Sequence, residues 1–117
     1  MDFENLQTYL IPAVLVGLVV WRVLRFRWVR KQLPSLLAQG AVVVDVRSQG
    51  EFSSGAREGS LNIPLDALER EVDRLDRKKP IVLCCASGTR SGMALALLKR
   101  KGFSNVYNAG PWKNTVL

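Results

Sequence analysis

Cys84-Cys85-Ala86-Ser87-Gly88-Thr89-Arg90-Ser91 is the stretch of this chain whose residue types point to covalent chemistry. The apolar Ile81-Val82-Leu83 runs into it, and a helical pattern from Ser91 to Lys101 follows. A short loop between a buried strand and a helix N-terminus turns several backbone N–H groups towards one centre, and the helix dipole adds to the field there. That centre favours an anion. A cysteine thiolate placed in it, with Arg90 nearby, has its pKa lowered from the free value of about 8.5, and a depression of about two units makes thiolate the main form at neutral pH. The chain contains no histidine, so no Cys–His or Ser–His pair can form. A thiolate activated by its surroundings needs no such base. The two cysteines are adjacent, which prevents an ordinary loop-closing disulfide and matches no zinc-site spacing. A reduced compartment is expected, with no metal and no cofactor.

The elements that position this loop follow from the apolar pattern. Ala41–Val46 and Ile81–Cys85 are nearly continuous apolar runs, as in strands buried on both faces. Leu61–Ile63 reads as a short strand, and Phe103–Asn108 holds another. Ser48–Gly59 is mostly loop with one helical turn. Leu65, Leu68, Val72 and Leu75 recur at helical spacing, predicting a helix that ends before Lys78-Lys79-Pro80. Leu33–Gln39 reads as a separate short helix with Pro34 near its start and Gly40 at its end. Strands alternating with helices predict an α/β fold with a largely parallel central sheet flanked by helices.

The N-terminal part is different. Tyr9–Trp21 carries no charge, and extending it to Leu6–Phe26 gives a helix of about 31 Å, long enough to cross a bilayer. Pro12 falls early in it. Asp2 and Glu4 stand on one side; Arg22, Arg25, Arg27, Arg30 and Lys31 stand on the other. The net charge of +7 alone would suit a nucleic-acid binder, but a basic cluster abutting an apolar run suits a membrane boundary. The expectation is one transmembrane helix with the arginine side in the cytoplasm, lipid as a partner and no nucleic acid. The chain then divides into an anchor with its basic segment, 1–31, and a catalytic domain, 32–117.

Several short motifs now fall in order: Asp45-Val46-Arg47 at a strand end, Glu51-Phe52, Gly55 through Leu65 with Asn62-Ile63-Pro64, then Cys85, Gly88, Arg90 and Ser91, then Gly102-Phe103 and Gly110 with Trp112. Each is weak alone. Together they make the stretch from Leu33 to Trp112 resemble a rhodanese domain. The resemblance implies sulfur transfer: a thiolate, Cys85, takes sulfur from a sulfane donor as a persulfide and gives it to a thiophilic acceptor. It implies that Ala86, Ser87, Gly88, Thr89 and Arg90 cradle the persulfide, the amides and the two hydroxyls donating. Arg90 would hold the loop or an anionic donor. Asp45, Arg47, Glu51 and Ser91 are expected to support the site by pairing with one another or with loop amides, and Trp112 to pack. The partner is a small sulfur donor or a persulfide carrier; a membrane-protein or oligomer partner is left undefined. Ala56 stands where many relatives have histidine, and only five residues follow Trp112 here, so one wall of the site is expected to be open or supplied by another protein.

Cys84 offers a second frame. Counted from Cys84, five residues precede Arg90, the spacing of a cysteine phosphatase loop; counted from Cys85, four do, as in the shorter sulfur-transfer loop. Gly88, third after Cys85, favours the second frame, with Cys84 a small buried residue at the strand end. A non-enzymatic docking or carrier module of the same fold is the other function class, since a fold alone does not fix an activity.

Overall fold

A computed structural model describes residues 3–117; Asp2, the outer acidic flank of the expected anchor, lies outside the described residues. The chain begins with one long helix, α1 (Phe3–Ala38). It then forms β1 (Val42–Asp45), α2 (Gln49–Ser53), β2 (Leu61–Asn62), α3 (Leu65–Leu68), β3 (Ile81–Cys85), α4 (Thr89–Arg100) and β4 (Val106–Pro111). The four strands make one parallel sheet in the order β2-β1-β3-β4. This is the α/β sheet flanked by helices that the pattern predicts.

Alternation along the strands sorts the core into two layers. Val44, Leu83 and Cys85 face a cluster completed by Leu68 of α3 and by Ala94 and Leu98 of α4. Val43, Val82 and Cys84 face the other side, where Val29, Leu33 and Leu36 of α1 cover them. The adjacent cysteines therefore belong to opposite faces of the sheet.

Three expectations need correction. The separate Leu33–Gln39 helix does not exist: α1 continues through Pro34 to Ala38, across the expected boundary between residues 31 and 32. Proline inside a helix costs about 3 kcal/mol. Burial of Val29, Leu33 and Leu36, at about 1.5–3 kcal/mol each, outweighs it. Gly40, at φ 87°, supplies the left-handed turn out of the helix. The second correction concerns 65–75. Only Leu65–Leu68 is α-helical, and Glu69–Arg74 tightens to a 3-10 helix, whose three-residue repeat lines Val72 up with the buried Leu75. Third, the last strand begins at Val106 rather than Phe103. Phe103 is buried and its N–H bonds back to the Leu98 carbonyl, so it closes α4 instead.

The N-terminal half of α1 stands away from the sheet. A π-helical stretch at Leu6–Leu10 precedes Pro12, which has no N–H to give to the carbonyl one turn back. Every residue from Phe3 to Trp21 is exposed, and this length is about 28 Å by the standard helical rise. The helix is long and apolar enough to cross a membrane. Arg22 and Phe26 are half-buried against the domain, so the exposed apolar length ends before the Phe26 limit that composition suggests.

Candidate active site

β3 delivers Cys85 to the C-terminal edge of the sheet, and the chain turns through Ala86–Gly88 directly into α4. Gly88 takes φ 102°, a left-handed conformation open to glycine. This turns its N–H back onto Cys85, where the Sγ accepts it at 2.9 Å. The Ser91 N–H reaches the same sulfur at 3.4 Å, and the Ser91 hydroxyl lies 3.4 Å from it. Burial pushes the Cys85 thiol up, but the Ser91 hydroxyl and the amides of Ser91, Gly88 and Ser87 together outweigh it, and the net shift is downward. Cys84, by contrast, is pushed up to about 12 by burial and by the Asp45 carboxylate. The N–H groups thus meet at Cys85 and not at Cys84, which lies on the α1 face of the sheet. Of the expected cradle, Gly88 bonds the sulfur directly. Ala86, Ser87 and Thr89 are exposed around it, and Ser91, expected only as support, is a direct partner.

An alkylation profile follows from these shifts. Thiolate is the reactive form, so the iodoacetamide rate at each cysteine rises with pH through its pKa. Cys85 should show its midpoint below the ordinary thiol value, while Cys84 stays unmodified at neutral pH. Peptide mapping after timed labelling reads both, and a Cys85 midpoint at or above the ordinary thiol value would contradict the geometry.

Two ion pairs hold the loop from below. Arg47 bonds both Asp45 oxygens, with Nη2 to Oδ2 at 2.8 Å, and both residues are buried. The guanidinium also donates to the Gly55 carbonyl at 2.7 Å and lies over the Trp112 ring, so Trp112 packs as expected. Asn62 donates to the Asp45 and Arg47 carbonyls and ties β2 to this corner. Glu51 caps α2 together with Ser48 and grips Arg90 through two bonds, at 2.7 and 2.9 Å. The Arg90 and Ser48 bonds hold the Glu51 carboxyl down to about 2, so this clamp on α4 releases only as pH falls from about 4.5 towards 2. Of the two roles open to Arg90, the geometry gives it loop-holding, with both Nη atoms on Glu51. Removing one partner of a buried pair leaves the other uncompensated. Asp45→Ala should therefore lower unfolding stability by about 3–5 kcal/mol, read by denaturant titration; a loss under about 1 kcal/mol would show the pair to be dispensable.

The Rhodanese-like domain family matches residues 29–110. The chain belongs to the rhodanese family. Thiosulfate sulfurtransferase GlpE of Pseudomonas savastanoi pv. phaseolicola is 36% identical over 67% of this chain and 74% of that protein. The uncharacterized protein YqhL of Bacillus subtilis is 37% identical over 58% of this chain, which spans only 54% of that protein. Among solved structures, a rhodanese-related protein from Thermoplasma volcanium is 28% identical, with a TM-score of 0.65 over 74% of this chain and 86% of that one. A sulfurtransferase-type function in the general sense follows from this membership.

On this rhodanese frame, α1 adds residues that sequence reading missed as site residues. Arg22 Nη2 donates to the Ser87 carbonyl at 3.1 Å and to Thr89 Oγ1 at 3.3 Å. The Phe26 ring covers Gly88 and Gly110 so closely that a Cβ on either would meet it at 2.6 or 2.7 Å. Asn108 bonds the Gly88 carbonyl at 3.4 Å from β4. The chain's own first helix therefore flanks the loop. Arg57, in the altered Ala56 segment, donates to the Thr115 carbonyl and fastens the C-terminal turn. A signal for α1 did exist: Arg22, Phe26, Val29, Leu33 and Leu36 recur at alternating spacings of four and three, one continuous helix face across Pro34.

Proposed function

We propose that this chain is a membrane-tethered rhodanese-type sulfurtransferase in which Cys85 carries the sulfur. The observation that carries the reading is the meeting of the Gly88 and Ser91 N–H groups and the Ser91 hydroxyl on the Cys85 sulfur. With thiosulfate as donor, the Cys85 thiolate attacks the outer sulfur. A new S–S bond forms, the old one breaks, and its electron pair leaves with sulfite. The product is a Cys85 persulfide anion, stabilised by the same N–H groups. An acceptor such as cyanide then takes the outer sulfur as thiocyanate and returns the thiolate. Ala86 to Arg90 form the cradle in this reading, and Asp45, Arg47, Glu51 and Ser91 fix its shape. Residues 1–31 supply the tether and basic boundary and 32–117 the sheet and catalytic loop, with the Arg22–Lys31 part of α1 packed as a wall of that domain. The domain lies on the cytoplasmic side by the arginine excess.

The test is intact mass after incubation of reduced, folded protein with thiosulfate and other sulfane donors, followed by cyanide. One added sulfur on Cys85, removed by cyanide, is expected. Failure of every donor to load Cys85 would favour the second reading, a docking module of rhodanese fold without turnover. A specific observation speaks for that module: Cys85 has 0% exposure. Orientation is read separately, by protease cleavage of the domain in inverted vesicles but not in intact cells.

A further inference from the structure

The loop around Cys85 lacks an unspent positive charge of its own. Arg90 is engaged on Glu51 through both Nη atoms, and Arg47 is engaged on Asp45. Arg22 differs. It comes from α1, its Nη2 sits on the Ser87 carbonyl and Thr89 hydroxyl, and a Cβ on Gly88 would lie 3.0 Å from it. Among the described residues it forms no ion pair, and its Nε and Nη1 make no hydrogen bond. A guanidinium offers five N–H donors in a planar fork suited to oxyanions. Here part of the fork grips the loop and the rest stays available beside it.

The space next to it has matching chemistry. A cleft of about 780 Å³ separates α1 from α4 and β4 and reaches Gly88 and Thr89 of the loop. Arg22, Arg25 and Lys99 line it and no carboxylate does. An anion entering this cleft meets three cations, with Arg22 nearest the loop.

We propose that Arg22, carried on the membrane-side helix, is a donor-binding and specificity-determining residue that selects anionic sulfur donors for Cys85. This rests on the sulfur-transfer reading of Cys85. Arg22 holds the oxyanion end of a donor such as thiosulfate at the cleft's Gly88–Thr89 end, and the loop opens there for the outer sulfur to reach the Cys85 thiolate, which is buried in the resting structure. It takes no part in bond making, so its contribution appears in donor binding and not in the transfer step. A neutral reagent of equal size gains nothing from it.

The experiment uses the full-length chain in detergent and a pair of reagents differing in charge alone, iodoacetate and iodoacetamide. Each transfers its carbon to the Cys85 thiolate and releases iodide. A change in thiolate fraction or loop order alters both rates together and cancels in their ratio. Arg22→Gln should lower the iodoacetate-to-iodoacetamide ratio at Cys85 about tenfold, the size one nearby charge supports. Arg22→Lys should restore most of it. Arg30→Gln, which removes a charge elsewhere on the same helix, should leave it unchanged. In the thiosulfate assay Arg22→Gln should raise KM about tenfold with kcat within about twofold, the signature of lost uniform binding. An equal fall with both reagents would make Arg22 a structural clamp and overturn the proposal. An unchanged ratio would overturn it too. An unchanged ratio joined to weaker binding to anionic-lipid vesicles would identify Arg22 as a headgroup contact instead. If wild-type protein loads no sulfur, the function proposed above fails, and the alkylation ratio still decides whether Arg22 forms an anion site.

Discussion

Cys85→Ser should eliminate both the sulfur adduct and turnover, a loss of at least about a thousandfold of the kind seen when a covalent nucleophile is removed. Cys84→Ser should keep most of each. A serine hydroxyl at position 85 stays protonated near neutrality and cannot hold a sulfane sulfur, however well the Gly88 and Ser91 N–H groups are aimed. Position 84 lies across the sheet among Val29, Leu33 and Val82. A hydroxyl there loses water without a good partner, for about 1–3 kcal/mol of stability, and leaves the sulfur-binding loop in place. Thiosulfate turnover, intact mass and thermal unfolding of both variants settle the point. Aryl-phosphate hydrolysis abolished by Cys84→Ser but not by Cys85→Ser would instead move the chemistry into the phosphatase frame.

Truncation should produce the next largest effect, and its position should matter more than its size. A chain starting at Trp21 loses the exposed apolar half of α1 and should leave the membrane as a folded domain that still loads sulfur. A chain starting at Gln32 should fold poorly or not at all. It loses Val29, 1% exposed, together with Phe26, and uncovers Val43, Val82 and Ala109 on one face of the sheet. Loss of Val29 alone removes about 1.5–3 kcal/mol, and the helix left behind is a short stub interrupted by Pro34. Against a typical margin of about 5–15 kcal/mol the combined loss is severe. Fractionation after an alkaline wash, with circular dichroism of each product, reads both halves. Full-length protein found in the soluble fraction would remove the membrane tether. A well-folded chain from Gln32 would show α1 to be dispensable to the core.

Much of the domain was legible because its signals are local. Ile81–Cys85 is a run of apolar residues that a sheet buried on both faces requires, and it appears with those bounds. The Glu51–Arg90 and Asp45–Arg47 pairs joined residues already singled out by their motifs. What escaped was set by distant partners. Pro34 reads as a helix start until the burial of Leu33 and Leu36 against the sheet is known. Arg22 reads as a charge at a lipid boundary, because nothing near it in sequence announces that Ser87 and Thr89 lie within bonding distance. Arg22 and Ser87 lie 65 positions apart in sequence, and only the packing of α1 on the sheet brings them together.

One continuous helix carries both the exposed apolar stretch and part of the core of this molecule. With the apolar half of α1 in a bilayer, no hinge intervenes between Trp21, at the end of the exposed stretch, and Arg22, which touches the loop beside Cys85. The tilt and height of the domain are then set by the helix, and the cleft opens within about a turn of the lipid surface, some 5 Å. Its encounters become those of a surface reaction. A bulky soluble carrier must fit between bilayer and loop, whereas small anions and acceptors already confined to the membrane plane search two dimensions at a matched height. Acceptors embedded in the same bilayer should therefore compete better than their solution concentration alone would allow.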